Sequence, residues 1–146
     1  MERLIPEKET LTIEFKSDRK PIQDDVIIDS VVAFANTEGG DLYLGVENDG
    51  SITGIHKSHS DITRLAAFIA NKTVPPQSVR VELLDEIQPV IRVQVAKSRT
   101  IVASSSGKTQ RRQIKLDGEL SSSTVAAGGG NQKSPDFSRN QAIFFV

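Results

Sequence analysis

The chain has 146 residues, a net charge of −1 and no cysteine. This length suffices to bury the core of one domain, and without cysteine neither a disulfide framework nor a thiolate metal site can form. No apolar run approaches the ~18 residues that span a membrane, and the first residues do not resemble a signal peptide. We therefore expect a cytoplasmic protein with no membrane partner.

The N-terminal part of the sequence predicts a strand followed by a helix. Residues 10–16 alternate between apolar and polar side chains, which is the period of a strand, and Glu14 and Lys16 fall on its polar face. Apolar residues then recur at helical spacing over residues 24–36, where Asp24 or a neighbour can cap the helix.

The next stretch reads as a glycine turn and a hairpin. Gly39-Gly40 is suited to end the helix, because glycine adopts left-handed backbone without steric cost. Residues 42–46 alternate as a strand, the Asp-Gly pair at 49–50 predicts a turn, and residues 51–55 are expected to return as the second strand. We expect Gly45 to let another chain segment approach closely.

The rest of the chain adds a helix and several strands. Ser60 is predicted to cap a second helix that ends before the Pro-Pro pair at 75–76. Alternation predicts adjacent strands near residues 79–83 and 93–95, a short strand at 101–102 and a basic strand at 111–116.

These elements predict an α+β fold: one domain over residues 1–118, with a mixed, twisted β-sheet and two main helices. From Glu119 onward, runs of serine and glycine predict a flexible tail over residues 119–146. Its apolar end, residues 142–146, is expected either to add an edge strand or to begin a following region.

Charge is distributed unevenly along the chain. Residues 1–55 hold five Lys/Arg against twelve Asp/Glu, whereas residues 97–118 hold six basic residues against one acid. A basic segment on a near-neutral chain can form one attractive face for phosphates. The predicted nucleic-acid-binding residues are Lys16, Lys97, Arg99, Lys108, Arg111, Arg112 and Lys115. The competing interpretation is a solvated strand with ordinary surface charge.

Several blocks in this order resemble the signature of the Schlafen-type AlbA-like domain over about residues 7–118. They are Glu9 with Glu14-Phe15-Lys16, then Phe34-Ala35-Asn36-Thr37-Glu38-Gly39-Gly40, Leu44-Gly45-Val46, Asp49-Gly50, Ile52-Thr53-Gly54 and Val93-Gln94-Val95-Ala96-Lys97-Ser98. The family includes bacterial proteins described as DNA-binding regulators, some of them RecG-like and helicase-related. It also includes animal Schlafen proteins, some of which cut RNA.

The resemblance implies a nucleic-acid-binding module, with DNA as the main expected partner and RNA as the second, in a bacterial transcriptional-regulator-like protein. Such a module would contact phosphates and need no cofactor. The protein could also form a homo-oligomer. A separate hypothesis, besides nucleic-acid binding and the nuclease alternative given next, is that the chain is a protein-interaction or oligomerisation domain.

The nuclease members of the family imply an alternative. There, two strand glutamates and a later aspartate hold a divalent metal, Mg²⁺ or Mn²⁺; here Glu9 and Glu14 match the glutamates. The third position is best matched by Asn48, with Asp49 one residue later and Glu47 one residue earlier. An amide brings no charge to an oxygen-rich metal site. We therefore favour the interpretation that these acids are ordinary solvated residues, and enzyme activity is not expected.

Other sequence patterns give even less support for a functional site. Gly107-Lys108-Thr109 does not complete a phosphate-binding loop, because Val102 stands where the pattern requires glycine. His56 and His59 lack a third metal ligand. Tyr43 is the only tyrosine and tryptophan is absent, so base stacking is expected to contribute little to any nucleic-acid binding.

Overall fold

The computed structural model describes residues 3–114 and 120–125. In chain order, its elements are β1 (Ile13–Lys16), α1 (Asp24–Ala35), β2 (Gly40–Leu44), α2 (Ile62–Asn71), β3 (Thr73–Val74), β4 (Arg80–Asp85), β5 (Pro89–Val95), β6 (Ala103–Ser104), β7 (Thr109–Ile114) and β8 (Leu120–Val125). A short 3-10 turn, Lys57–His59, precedes α2. Within the described ranges, neither helix is long and apolar enough to cross a membrane. Lys115 and the apolar chain end at 142–146 lie outside the described residues.

Four strands form the main sheet, in the order β1-β2-β5-β4. β1 runs parallel to β2, whereas β5 is antiparallel to both of its neighbours, β2 and β4. Two smaller sheets pair β3 with β6 and β7 with β8. The predicted α+β fold, with a mixed sheet and two main helices, is confirmed.

The larger core cluster lies between the helices and one face of this sheet. Ile27, Val31 and Phe34 of α1 are fully buried, and they belong to the same cluster as Leu42 of β2 and Ile91 of β5. α1 also packs against β7, so that eight of its twelve residues are buried. This explains why α1 reads as apolar over such a broad face.

A smaller cluster occupies the opposite face of the sheet. It contains Ile5, Phe15, Tyr43, Val46 and Val90, all buried. The rings of Phe15 and Tyr43 meet edge to face, with centroids 6.1 Å apart and planes inclined at 67°. The N-terminal segment is thereby part of the core.

The residues that cap the two helices differ in part from the sequence prediction. α1 begins at Asp24, as predicted, and its N-cap position is the neighbouring Gln23, whose side chain forms no cap hydrogen bond. The predicted side-chain cap from Asp24 or a neighbour is therefore not formed by the residue at this position. α2 is capped by Asp61 in place of Ser60, because the Asp61 carboxylate accepts the N–H of Arg64 at 3.1 Å. Two neighbouring residues were both suitable caps, and only the backbone path distinguishes them.

The predicted hairpin is also modified. Residues 51–55 form no strand; they make a single bridge between Val46 and Ile52. The carbonyl of Gly45 accepts the N–H groups of both Thr53 and Gly54 at 2.9 Å, which fixes the returning chain as a tight loop.

Later strands are shifted relative to the prediction. The short strand lies at Ala103–Ser104 and not at 101–102, and the basic strand begins at Thr109, before its predicted start at Arg111. The predicted linker from Glu119 is wrong for Leu120–Val125, because these residues pair with β7. A polar serine run can form a strand when the ladder supplies its main-chain hydrogen bonds. The domain division at residue 118 stays a prediction.

We expect Gly45→Ala to destabilise the domain far more than Gly107→Ala. Both glycines have positive φ, +101° and +91°, so alanine at either site pays a similar conformational cost. A Cβ at Gly45 would lie 2.7 Å from the carbonyl carbon of Gly54, whereas a Cβ at Gly107 meets no atom of the described chain within 4 Å. Urea unfolding should show a loss of about 1 kcal/mol for Gly107→Ala and at least about 2 kcal/mol more for Gly45→Ala. Equal losses would contradict the close approach at Gly45.

Candidate nucleic-acid interface

The C-terminal end of α1 gathers chain segments that are distant in sequence. The carbonyl of Ala35 accepts the N–H of Ser98 at 2.8 Å, which holds residues 97–99 at this end. Thr37 Oγ1 accepts the N–H of Arg112 at 2.8 Å and donates to the carbonyl of Ala33, also at 2.8 Å. The two stretches that carry most of the predicted basic residues therefore meet at one end of one helix.

Asn36 is the centre of this junction. Its Oδ1 accepts the N–H of Val102 at 2.7 Å. Its Nδ2 donates to the carbonyls of Val102 at 2.8 Å and Gln110 at 2.9 Å, and it lies 2.9 Å from Thr109 Oγ1. One buried amide thus connects α1 to the chain on both sides of β6.

Sequence reasoning missed the roles of Asn36 and Thr37. Both are buried, and their side chains satisfy main-chain groups that would otherwise be unpaired inside the protein. The available signal was a pair of polar residues that directly continue a fully apolar helical run. Buried polar residues in such a place need partners, although the sequence does not identify them.

Arg112 lies inside the protein, where it supports the fold. It is 3% exposed and forms an ion pair with Glu14. Its guanidinium donates to the carbonyls of Leu11 at 2.7 Å and Thr10 at 2.8 Å, and it stacks 4.5 Å from the ring centre of Phe34. Burial lowers the pKa of Arg112, and the Glu14 carboxylate opposes that shift. All three guanidinium nitrogens have partners within the protein, and the residue is 3% exposed, so the prediction that Arg112 contacts phosphate is not supported.

Glu14 is likewise buried, although the alternation in β1 predicted a solvated side chain. It is 9% exposed, and besides Arg112 it contacts Lys16 at 3.0 Å and the hydroxyl of Ser30 at 3.3 Å. The prediction that Glu14 and Lys16 share a face is confirmed by their contact. The solvated state of Glu14 was wrong, because β7 covers that face.

The remaining predicted cations lie nearer the surface. Lys97 and Lys108 are both exposed, and each forms a surface ion pair. Lys97 lies 3.7 Å from the carboxylate of Glu38, and Lys108 lies 3.0 Å from the carboxylate of Asp29. Arg99 is exposed. Arg111 is half-buried, and burial lowers its pKa. Lys97 and Arg99 flank Ser98 at the end of α1, whereas Lys108 reaches the middle of that helix.

The glutamates of the nuclease alternative share a cleft of about 420 Å³. Glu9, Glu14, Lys16, Asn48 and Arg112 line it, together with residues of α1. Asp49 lines a neighbouring hollow. The structure therefore brings Glu9, Glu14 and Asn48 together, whereas Asp49 and Glu47 line the neighbouring hollow.

The donors of this cleft fit a divalent ion poorly. Both carboxylate oxygens of Glu14 already contact cationic side chains, Arg112 and Lys16. Glu9 Oε2 accepts the N–H of Phe15 at 2.9 Å, and Asn48 supplies only a neutral amide. Asp49 accepts the N–H of Ser51 at 2.9 Å, and its hydrogen bonds to Ser51 lower its pKa. A site rich in carboxylates that lack other partners is what Mg²⁺ or Mn²⁺ requires.

The two histidines have structural partners. His56 Nδ1 accepts the N–H of Ser58 at 3.1 Å and so caps the 3-10 turn. His59 Nδ1 lies 2.8 Å from Asp18, a fully buried carboxylate that also accepts the N–H groups of Ile22 and His56. Among the described residues, no group of three His, Cys, Asp or Glu side chains is arranged to hold a metal ion.

These elements define an α+β domain in which a mixed sheet is backed by two helices and closed by a β7–β8 hairpin. Residues 9–120 match the sequence profile of the Schlafen, AlbA_2 family, and the chain belongs to that family. The resemblance identified from the sequence is confirmed.

Two solved structures are similar to the chain. The DIP2311 protein from Corynebacterium diphtheriae is 20% identical with a TM-score of 0.60, and the match covers 76% of this chain and 24% of that one. The N-terminal domain of a RecG-related protein from Nitrosomonas europaea is 18% identical with a TM-score of 0.49, covering 87% and 84%. The first likeness concerns the fold alone, and the chain spans about a quarter of the DIP2311 protein.

Proposed function

We propose that this domain binds nucleic acid by contacting the phosphate backbone, and that DNA is its main ligand. The observation that carries the proposal is the meeting of the basic segments at the C-terminal end of α1, with Lys97 and Arg99 on the two sides of Ser98. Membership of the Schlafen, AlbA_2 family supports it. In this proposal, the chain is a module of a cytoplasmic, bacterial, transcriptional-regulator-like protein.

The contacts would be electrostatic and largely independent of sequence. Tyr43, Phe15 and Phe34 are all buried, so these aromatic rings offer no platform on which bases could stack. Each Lys or Arg contact to a phosphate releases a counterion, and affinity then falls steeply with salt. The proposed contact residues are Lys97, Arg99 and Lys108. Arg111, which is half-buried, and Lys16, which is paired with Glu14, belong to the predicted set but have a smaller part in the proposal.

The double variant Lys97→Gln/Arg99→Gln is expected to bind DNA more weakly and with a flatter salt dependence. Loss of two phosphate contacts should reduce the slope of log K against log salt by about 2. The measurement is fluorescence anisotropy with labelled DNA and RNA, double- and single-stranded, at several salt concentrations. An unchanged slope would contradict the proposed contacts, and absence of binding at low salt would contradict the proposed function.

The matched control is Lys20→Gln/Lys57→Gln. It removes the same charge from two exposed residues, near the opposite end of α1. If the interface lies where we propose, the slope of log K against log salt should change by less than half as much in this control as in Lys97→Gln/Arg99→Gln. An equal change would indicate a general charge effect with no localised site.

Metal-dependent cleavage is a second candidate, favoured only by the shared cleft of Glu9, Glu14 and Asn48. Because Glu14 is bound to Arg112 and Lys16, we propose that the domain binds without cutting and needs no metal. The same DNA and RNA samples, incubated with Mn²⁺ or EDTA and separated on a gel, should remain intact. Cleavage that EDTA abolishes would overturn this choice.

A further inference from the structure

The two edges of the main sheet differ in how their main-chain groups are used. On the outer edge of β1, Ile13 exchanges main-chain hydrogen bonds with Thr10 at 3.0 and 3.2 Å. The N–H of Phe15 donates to the Glu9 carboxylate at 2.9 Å. The guanidinium of Arg112 covers the carbonyls that precede β1. These contacts therefore block this edge against pairing with another strand.

β4 forms the opposite edge and has no such cover. Across the described ranges, its main chain pairs with β5 alone. Leu83, in the middle of β4, is 50% exposed, and Ile87, just beyond its end, is 83% exposed. An uncovered six-residue edge with an exposed leucine is a template for another strand.

We propose that β4 pairs with β4 of a second copy of this chain, so that two four-stranded sheets form one continuous antiparallel sheet. Two-fold symmetry permits only registers in which facing residues lie on the same side of the sheet. Of these, two registers pair five β4 residues of each copy. One places Glu82 opposite Glu82 of the partner subunit, which like-charge repulsion disfavours.

The other register is supported by charge and by apolar contact. It sets Leu83 opposite Leu83 of the partner subunit, at the two-fold axis. It also sets Arg80, an exposed cation that lies 3.0 Å from Glu82 of its own chain, opposite Glu86 of the partner subunit. In its own chain, the carboxylate of Glu86 accepts the N–H of Leu4 through one oxygen, which leaves its second oxygen for Arg80. The exposed leucine and the charge pattern of the strand therefore select the same alignment. One shared strand edge is a small interface, so the dimer should dissociate on dilution.

Because the natural chain has no cysteine, one engineered cysteine can report the register. Facing residues of an antiparallel pair have Cβ atoms about 4.5–5.5 Å apart, close to the reach of a disulfide. Leu83→Cys should form a disulfide-linked dimer under mild oxidation, at least about tenfold faster than Ile101→Cys. Ile101 is the matched control, since it is 59% exposed but lies outside β4. Equal cross-linking rates would overturn the proposed alignment.

Sedimentation of the wild-type chain gives an independent test. Its mass should rise from the 15.9 kDa monomer toward twice that value as concentration increases. Leu83→Lys should abolish this rise, whereas Ile101→Lys should leave it intact. At low concentration, where the wild type is monomeric, the melting temperature of Leu83→Lys should match that of the wild type. A chain that stays monomeric up to several hundred micromolar overturns the proposal, as does a dimer that Leu83→Lys does not affect. Neither test involves nucleic acid, so failure here leaves the proposed function intact.

Discussion

Asn36→Asp is expected to destabilise the domain by about 3–5 kcal/mol, because a buried charge without a compensating partner carries that cost. The Asn36 amide nitrogen donates toward the carbonyls of Val102 and Gln110. A carboxylate cannot donate, and its second oxygen would face both carbonyls. The change alters side-chain volume very little, so the loss would report the hydrogen bonds and the charge. Urea unfolding followed by circular dichroism measures it.

Asn48→Asp is the matched control for this variant. It makes the same chemical change at an exposed residue, for which a difference below about 0.5 kcal/mol is expected. If the two variants unfold within about 1 kcal/mol of each other, Asn36 does not hold the junction as described. Asn48→Asp also restores the acid that the nuclease members of the family imply, so the same protein can be assayed for cleavage.

Arg112→Met is expected to cost about 3 kcal/mol of stability while leaving nucleic-acid binding unchanged in the protein that remains folded. Methionine keeps the long apolar stem but removes every donor. The buried carboxylate of Glu14 then loses its main partner, and the carbonyls of Thr10 and Leu11 lose theirs. Lys16 stays within 3.0 Å of Glu14, so the loss falls at the lower end of the range for broken buried pairs.

Adding Glu14→Gln to Arg112→Met should recover part of this loss, since a neutral amide is cheaper to bury than an unpaired carboxylate. Arg99→Met, at an exposed residue, should instead leave stability within about 0.5 kcal/mol and weaken DNA binding. Affinities are measured well below the melting temperature of each variant. The interior role of Arg112 would be wrong if Arg112→Met weakened binding and left stability unchanged.

Sequence patterns correctly predicted those structural features that are determined by residues close together in the chain. The alternation over residues 42–46 gave the buried strand β2, and the helical spacing around Val31 gave α1. Gly45 was expected to allow a close approach, and the main chain of Gly54 does lie against it. Each of these features is determined by the period of apolar residues or by the backbone freedom of glycine.

Features that depend on distant residues were not predictable in this way. Alternation in β1 placed Glu14 on a polar face, but the segment that covers this face lies 98 residues further along the chain. Arg111 and Arg112 are adjacent and chemically identical, yet only Arg112 is buried against β1, because neighbouring residues of a strand point to opposite sides. A count of charged residues along the sequence cannot distinguish the buried Arg112 from the more exposed Arg111.

The link between Arg112 and Glu14 also bears on how the chain is made. During synthesis β1 emerges from the ribosome early, but the arginine that covers its edge is added 98 residues later. Until then, the Glu14 carboxylate lacks the guanidinium of Arg112, and the carbonyls of Thr10 and Leu11 lack their donor. The contacts that Arg112 makes with Glu14, Thr10 and Leu11 can therefore form only after β7 has been added to the chain. A chain terminated before Thr109 would lack Arg112, and Lys16 would be the remaining cation in contact with the Glu14 carboxylate.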